Sequence, residues 1–278
     1  MTPCLNDDGR GGLAFRLRRG ILLSVPEETI AQENTKAAQV YPAEASREMI
    51  EAGVFYGRKK TKTNPKMRQF VFANRAGIEI INLQKTTEAL ERAVEFIKES
   101  IAKGKEMALV VGTEPAAEMA VRTMADKFKL PFVTTRWVGG TITNHGIIAK
   151  RVEHLKTTRA GLASGAFEGY TKKERLDMAH EVERLEMLMG GLETLSREPD
   201  FLIVVNPIVH ATAVREARRR KIPVIAFANV DADPDQIDYL VPGNDKSKSS
   251  ITWFMDAIAK AYAEGLAAKA TAAVAEAK

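Results

Sequence analysis

Residues 131–144 read Pro-Phe-Val-Thr-Thr-Arg-Trp-Val-Gly-Gly-Thr-Ile-Thr-Asn. Arg136 and Trp137 are adjacent: a planar cation that can fork onto a phosphate, and a ring on which a base can stack. Gly139 and Gly140 let a backbone approach a ligand closely. Thr141, Thr143 and Asn144 add hydroxyl and amide groups. The same residues also fit a plainer arrangement, in which Trp137 plugs a core and the glycines make a tight turn. The residues alone leave both open.

A second group lies upstream, in Phe55-Tyr56-Gly57-Arg58-Lys59-Lys60-Thr61-Lys62-Thr63-Asn64-Pro65-Lys66-Met67-Arg68. Together with Arg75, it puts seven cations between Glu51 and Glu79 with no acid among them. Such a run is usually a solvated loop. Phe55, Tyr56, Phe70 and Phe72, with a glycine and Asn64-Pro65, tilt it toward nucleic acid, where cations meet phosphates and rings meet bases. A third group, Arg215, Arg218, Arg219, Arg220 and Lys221, closes a helical pattern. These cations answer the helix dipole or meet phosphate, and the sequence does not choose. The turn Asn229-Val230-Asp231-Ala232-Asp233-Pro234-Asp235 reads as an Asx-rich turn before a metal site. His145, His154 and His180 have no i, i+4 partner with a carboxylate and read as surface residues.

Bulk properties narrow the classes. The chain has 278 residues, 45% hydrophobic and 28% charged, with 41 basic and 36 acidic residues and a net charge of +5. That is an ordinary globular composition with a slight lean toward anionic partners. One cysteine, Cys4, excludes a disulfide within the chain and fits a reducing compartment, hence a cytoplasmic protein. The early apolar run over 21–25 is too short for a secretory segment. No stretch approaches the ~18 apolar residues of a membrane span, so no membrane partner is expected.

These groups must be positioned by regular elements. Ser46 and Gly53 bracket a short helix. Strand-like runs over 70–73 and 78–83 flank a turn at Arg75-Ala76-Gly77. An amphipathic helix follows over 86–102, then a strand over 107–111, a helix over 116–128 capped by Thr113, and a strand over 131–133. The turn Gly112-Thr113-Glu114-Pro115 suits a helix-bound phosphate, but it has neither the dinucleotide nor the P-loop spacing. A plain structural turn is the better reading. Two long helical patterns over 147–162 and 171–195 form an antiparallel hairpin; Thr171 and Glu174 cap the second. Strand, helix and strand resume over 201–205, 210–220 and 223–228. A turn over 241–245 and a helix over 250–266 follow. Alternating strands and helices call for a parallel α/β sheet covered on both faces.

Several motifs taken together resemble the bacterial ribosomal small-subunit protein two family. They are Glu51-Ala52-Gly53-Val54, Asn64-Pro65-Lys66-Met67, Ile-Glu-Ile-Ile-Asn-Leu-Gln-Lys over 78–85, and Arg136-Trp137-x-Gly139-Gly140-x-x-Thr143-Asn144. Thr171-Lys172-Lys173-Glu174, Asp233-Pro234-Asp235 and Pro242-Gly243-Asn244-Asp245 complete the set. Their order and spacing span nearly the whole core, and the Arg-Trp block is the most specific. The resemblance implies a flavodoxin-like three-layer domain, strand order 2-1-3-4-5, with a protruding antiparallel helical hairpin. It implies binding to small-subunit rRNA and to neighbouring ribosomal proteins and, in many bacteria, to ribosomal protein one. The chain departs from the family at Phe55-Tyr56-Gly57-Arg58, where His-Phe-Gly-His is usual, so the role of those histidines is not carried over. Thr63 replaces an aromatic, Asn229-Val230-Asp231-Ala232 alters the usual turn, and Lys246 replaces an acid.

The expectation is therefore a flexible leader over 1–44, an α/β ribosomal domain over 45–266 with its hairpin at about 145–195, and an Ala-rich tail over 267–278 that frays. Phosphate contact falls to Arg58, Lys59, Lys60, Lys62, Asn64, Lys66 and Arg68, joined by Arg136 and Asn144. Trp137, Gly139 and Gly140 support the site. No catalytic residue, metal or cofactor is expected. The rivals are an α/β enzyme with a nucleotide or phosphate ligand, and an RNA-binding protein that works off the ribosome.

Overall fold

A computed structural model describes residues 44–276 apart from 168, with side chains over 47–271. The expected leader, Glu44 excepted, and the last two residues of the tail lie outside the described residues. Helix α1 (Glu44–Glu51) begins before Ser46, which sits inside it rather than at its cap. It closes at Gly53 as expected. Val54 N–H reaches Met49 O at 2.9 Å and Gly53 N–H reaches Ile50 O at 3.0 Å, the paired bonds of a Schellman ending.

Strands β1 (Tyr56–Lys59), β2 (Val71–Arg75) and β3 (Ile78–Ile81) form an antiparallel sheet in the order β1-β3-β2. The loop expected over 55–68 is thus corrected: its first part is a strand, followed by the 3-10 turns Lys60–Lys62 and Pro65–Phe70. Tyr56 pairs with Ile80, and Lys59 with Ile78. A Cβ on Gly57 would lie 2.4 Å from Glu79 O, so only glycine lets β1 close on β3 here. Backbone pairing makes this strand, and the cations along it hide the alternation that usually reveals one. Between β2 and β3, Ala76 and Gly77 both take positive φ, 48° and 81°, as a two-residue hairpin turn requires.

The rest is α2 (Leu83–Ala102), β4 (Ala108–Val111), α3 (Pro115–Phe128), β5 (Phe132–Val133), α4 (His145–Ser164), α5 (Lys172–Met189), β6 (Phe201–Val205), α6 (Ala211–Arg219), β7 (Val224–Ala228), β8 (Tyr239–Pro242) and α7 (Lys248–Glu276). The sheet order is β5-β4-β6-β7-β8 with every neighbouring pair parallel. This is the flavodoxin-like 2-1-3-4-5 order. β8 corrects the turn expected over 241–245. β8 is an edge strand, where proline is tolerated, and the Pro-Gly-Asn-Asp that begins with its last residue, Pro242, masks it in the sequence.

Side chains alternate across the sheet. Val110, Ile203, Ile225 and Phe227 join α1, α2, α3 and α7 in one core. Leu109, Val111, Leu202, Val204 and Ala226 join α4, α5 and α6 in the other. Both faces are covered, as a parallel sheet demands. Ile148, Val152 and Leu155 of α4 and Val182, Leu185 and Met189 of α5 are buried. No described residue between 156 and 181 is buried.

Helix limits follow local capping. Asn82 Oδ1 accepts Gln84 N–H at 3.0 Å, so α2 begins at Leu83 rather than 86. Glu114, not Thr113, holds the N-cap position of α3. Thr171 and Glu174 form the expected capping box, with Thr171 N–H donating to Glu174 Oε2 at 2.9 Å. α5 stops at Met189, short of 195, and gives way to the 3-10 turn Gly190–Leu192. α7 continues well past 266.

Candidate nucleic-acid interface

The basic segment is pinned from beneath. Met67 is fully buried and packs with Ile81 and Val230. Asn64 N–H donates to Val230 O at 2.9 Å, and its Oδ1 accepts Lys66 N–H at 3.1 Å. Arg58 turns inward: Nη2 donates to Asp245 Oδ2 at 2.9 Å, and Nε lies 2.6 Å from Asp231 Oδ2. Burial pushes the Asp245 carboxyl above the usual aspartate value, while Arg58 and Asn229 pull the other way. Lys66 reaches Asp235, and Asp233 at 3.3 Å; these two carboxylates hold its ammonium above the usual lysine value. Lys59, Lys60, Lys62 and Arg68 are exposed and have no ion pair among the described residues. The nominated segment therefore divides: Arg58, Asn64 and Lys66 fasten it, and four cations remain displayed. Phe55 is buried in the core and unavailable for stacking.

The Gly-Gly loop is organised by a residue the motif does not contain. Glu216 of α6 is buried, and its carboxylate accepts five hydrogen bonds from this loop. Oε1 takes Trp137 Nε1–H at 3.1 Å and Gly140 N–H at 2.9 Å. Oε2 takes Ile142 N–H and Thr143 N–H at 3.2 Å each, and the Thr143 hydroxyl at 3.1 Å. Burial pushes the Glu216 pKa up, but these donors outweigh it and hold the group below the usual glutamate value. Gly140 has φ of +89°, which its place in the turn requires; at Gly139 a Cβ would meet nothing. Trp137 is half-buried against the second core, with its N–H committed to Glu216. Arg136 is exposed without an ion pair among the described residues. Asn144 is exposed at the N-cap position of α4 and makes no side-chain capping bond. Arg220 adds a clasp, donating to Thr143 O at 2.7 Å.

Glu216 is legible in principle. It is the one acid in the run 215–221, and it falls on the apolar stripe of Ala213, Val214 and Ala217. A charge on a buried stripe needs donors.

The strand ends between β4 and β6 are where ligands sit in open α/β sheets. Here they are filled from within. Asn206 Nδ2 donates to Glu114 Oε1 at 2.9 Å, and Lys246 pairs with the same carboxylate. Thr113 N–H donates to Nε2 of buried His210 at 3.2 Å, which fixes an unprotonated acceptor there. Glu114 places a negative charge at the start of α3, where a phosphate would otherwise be favoured. The basic segment and the Gly-Gly loop occupy different places. α6 holds the loop through Glu216 and faces the 233–236 turn, which Lys66 of the basic segment also reaches, through Arg215, Arg218 and Arg219.

Comparison with known proteins gives this geometry its context. The family model described as Ribosomal protein S2 matches residues 49–265. The chain belongs to the ribosomal protein S2 family. It is 44% identical over 205 residues to the small ribosomal subunit protein uS2 of Thermus thermophilus, covering 74% of this chain and 80% of that one. It is 40% identical over 224 residues to the uS2 protein of Mycobacterium tuberculosis strain H37Rv, covering 81% and 78%. The uS2 protein of Nocardia farcinica is 38% identical over 232 residues, covering 84% and 81%. The S2 family match begins inside α1 and ends within α7, so it takes in both sheets, the Gly-Gly loop and the strand-end network.

The buried groups make two outcomes testable. Glu216→Ala strands the loop's donors and lowers stability by roughly 2–4 kcal/mol in a urea-unfolding titration; a loss below about 0.5 kcal/mol contradicts the anchoring role. The His210 pKa is pushed by burial from 6.5 down to about 4, with Glu114 opposing. The unfolded chain thus takes up a proton that the folded chain refuses. Stability from this group is intact above pH 6.5 and falls as pH drops toward 4, by up to roughly 3 kcal/mol. His210→Gln flattens that segment of the stability–pH curve; an identical curve refutes the assignment.

Proposed function

We propose that this protein is a structural constituent of the small ribosomal subunit, where it binds rRNA and neighbouring ribosomal proteins during translation. The role is structural rather than enzymatic, in keeping with the S2 family. The observation that carries the reading is the set of exposed cations on a pinned segment: Lys59, Lys60, Lys62 and Arg68, held by Asn64, Arg58 and Lys66. Fixed cations neutralise backbone phosphates at little cost in ordering, and each phosphate met releases condensed counterions. Arg136 and Asn144 add a second contact, presented by the loop that Glu216 holds. Arg58, nominated from sequence for phosphate, is assigned here to support, because two carboxylates already take its guanidinium.

The α4–α5 pair forms a hairpin whose far end projects from the sheet. Its described residues over 156–181, none of them buried, support that reading and suit contact with neighbours, among which ribosomal protein one is a partner to test. The site of action is the ribosome in the cytoplasm. Among the described residues, no helix is long and apolar enough to cross a membrane.

The test is sedimentation of a native lysate through sucrose at moderate and high salt. Near-stoichiometric recovery with small subunits and whole ribosomes is expected, and recovery only at the top of the gradient in both salts contradicts the proposal. In rebinding to small subunits stripped of this protein, Lys59→Ala, Lys60→Ala and Lys62→Ala together lower the slope of log affinity against log salt by about 2–3. An unchanged slope removes those lysines from the interface.

A further inference from the structure

We propose that the arginine side of α6 is a second phosphate-binding surface, continuous with the basic segment, and that its ligand is the RNA backbone. The proposal rests on the rRNA reading above and extends it to residues far away in sequence. An open groove of about 490 Å³ runs between Arg215, Arg218 and Arg219 on one wall and Asp233, Asp235 and Gln236 on the other. Arg215 lies back along its own helix, with Nε donating to Ala211 O at 3.1 Å and Nη2 to Thr212 Oγ1 at 3.4 Å. Arg218 and Arg219 are exposed and have neither an ion pair nor a side-chain hydrogen bond among the described residues. The helix dipole accounts for cations in the last turn. It does not account for Arg215, a turn earlier, on the same groove.

The acidic wall limits what the groove can hold. Its carboxylates are partly offset and already held: Lys66 reaches both, and Gln236 Nε2 donates to Asp233 Oδ2 at 3.2 Å. Among the described residues, the arginines opposite form no ion pair with these carboxylates or with any other acid. A bare anion gains little from such a mixed groove. RNA carries phosphates for the arginine forks together with ribose hydroxyls and base amino groups that can donate to carboxylates and amides. Lys66 also supplies the continuity. It spans from the basic segment onto Asp233 and Asp235, and Asn64 N–H grips Val230 O beside them. The cations of 59–68 and of 215–219 thereby flank one turn, and a charged polymer can follow both.

The experiment uses full-length protein and small subunits stripped of it, with rebinding measured across a salt series. R218Q/R219Q is expected to lower the slope of log affinity against log salt by about 1.4–1.8, the range for two lost phosphate contacts between a single strand and a B-form duplex. R218K/R219K keeps the charge and is expected to keep the slope. Combining R218Q/R219Q with the Lys59, Lys60 and Lys62 alanine set is expected to add the two reductions. An unchanged slope in R218Q/R219Q, with the lysine set still lowering it, overturns the groove proposal and leaves the rRNA reading standing. Absence of salt-dependent rebinding by the unaltered protein overturns both. Both arginines are exposed, so melting temperature should not move. If the double variant does melt early, R218Q and R219Q are read singly, each expected to lower the slope by about 0.7–0.9, and no change in either overturns the proposal.

Discussion

One buried carboxylate holds the most specific stretch of this chain in place. Glu216 projects from the packed side of α6 into a loop that otherwise has no regular structure, and it receives the loop's free donors from Trp137 to Thr143. A carboxylate taken out of water is costly unless its lone pairs are met. The loop is equally costly to leave without acceptors near the core. Each satisfies the other, and the outcome is one loop geometry. Trp137 packs on the second core, Gly140 makes the turn, and Arg136 and Asn144 are left facing outward.

The same device recurs at the strand ends. Asp245 and Asp231 draw Arg58 inward, Asp233 and Asp235 take Lys66, and Glu114 takes Lys246. Asp200 accepts Met107 N–H at 2.9 Å beside Arg197, and Asp238 accepts Val224 N–H at 2.9 Å. Acids are thus turned to internal anchoring around the sheet, and lysines such as Lys59, Lys60 and Lys62 face solvent. A net charge of +5 understates how basic the displayed faces are, because cancellation happens inside the fold. The arrangement also explains why an α/β sheet of ligand-binding topology makes a poor ligand site here. Its crevice is closed by Glu114, Asn206, His210 and Lys246.

The sheet is legible in the sequence because β4, β6 and β7 are unbroken apolar runs separated by helical periods. The strand order is not carried by those runs; it comes from motif resemblance. β1 escapes a sequence reading because its side chains are mostly cations and its identity lies in backbone pairing to β3. β8 escapes because a Pro-Gly-Asn-Asp turn closes it immediately. Among site residues, the basic segment is found by charge, but charge cannot tell a displayed lysine from one paired across the chain. Arg58 and Lys66 find partners about 170–190 positions away, a distance no local pattern reports. Glu216 carries a readable signal, an acid on an apolar stripe, that its basic neighbours conceal.

The most direct measurement is a high-resolution structure of the small subunit isolated with this protein in place. The account predicts rRNA phosphates within salt-bridge distance of Lys59, Lys60, Lys62 and Arg68, with Arg58 still turned onto Asp231 and Asp245 and the Gly-Gly loop still seated on Glu216. Lysines of that segment facing only solvent, or Arg58 swung out onto a phosphate with Asp245 left unpaired, would contradict it.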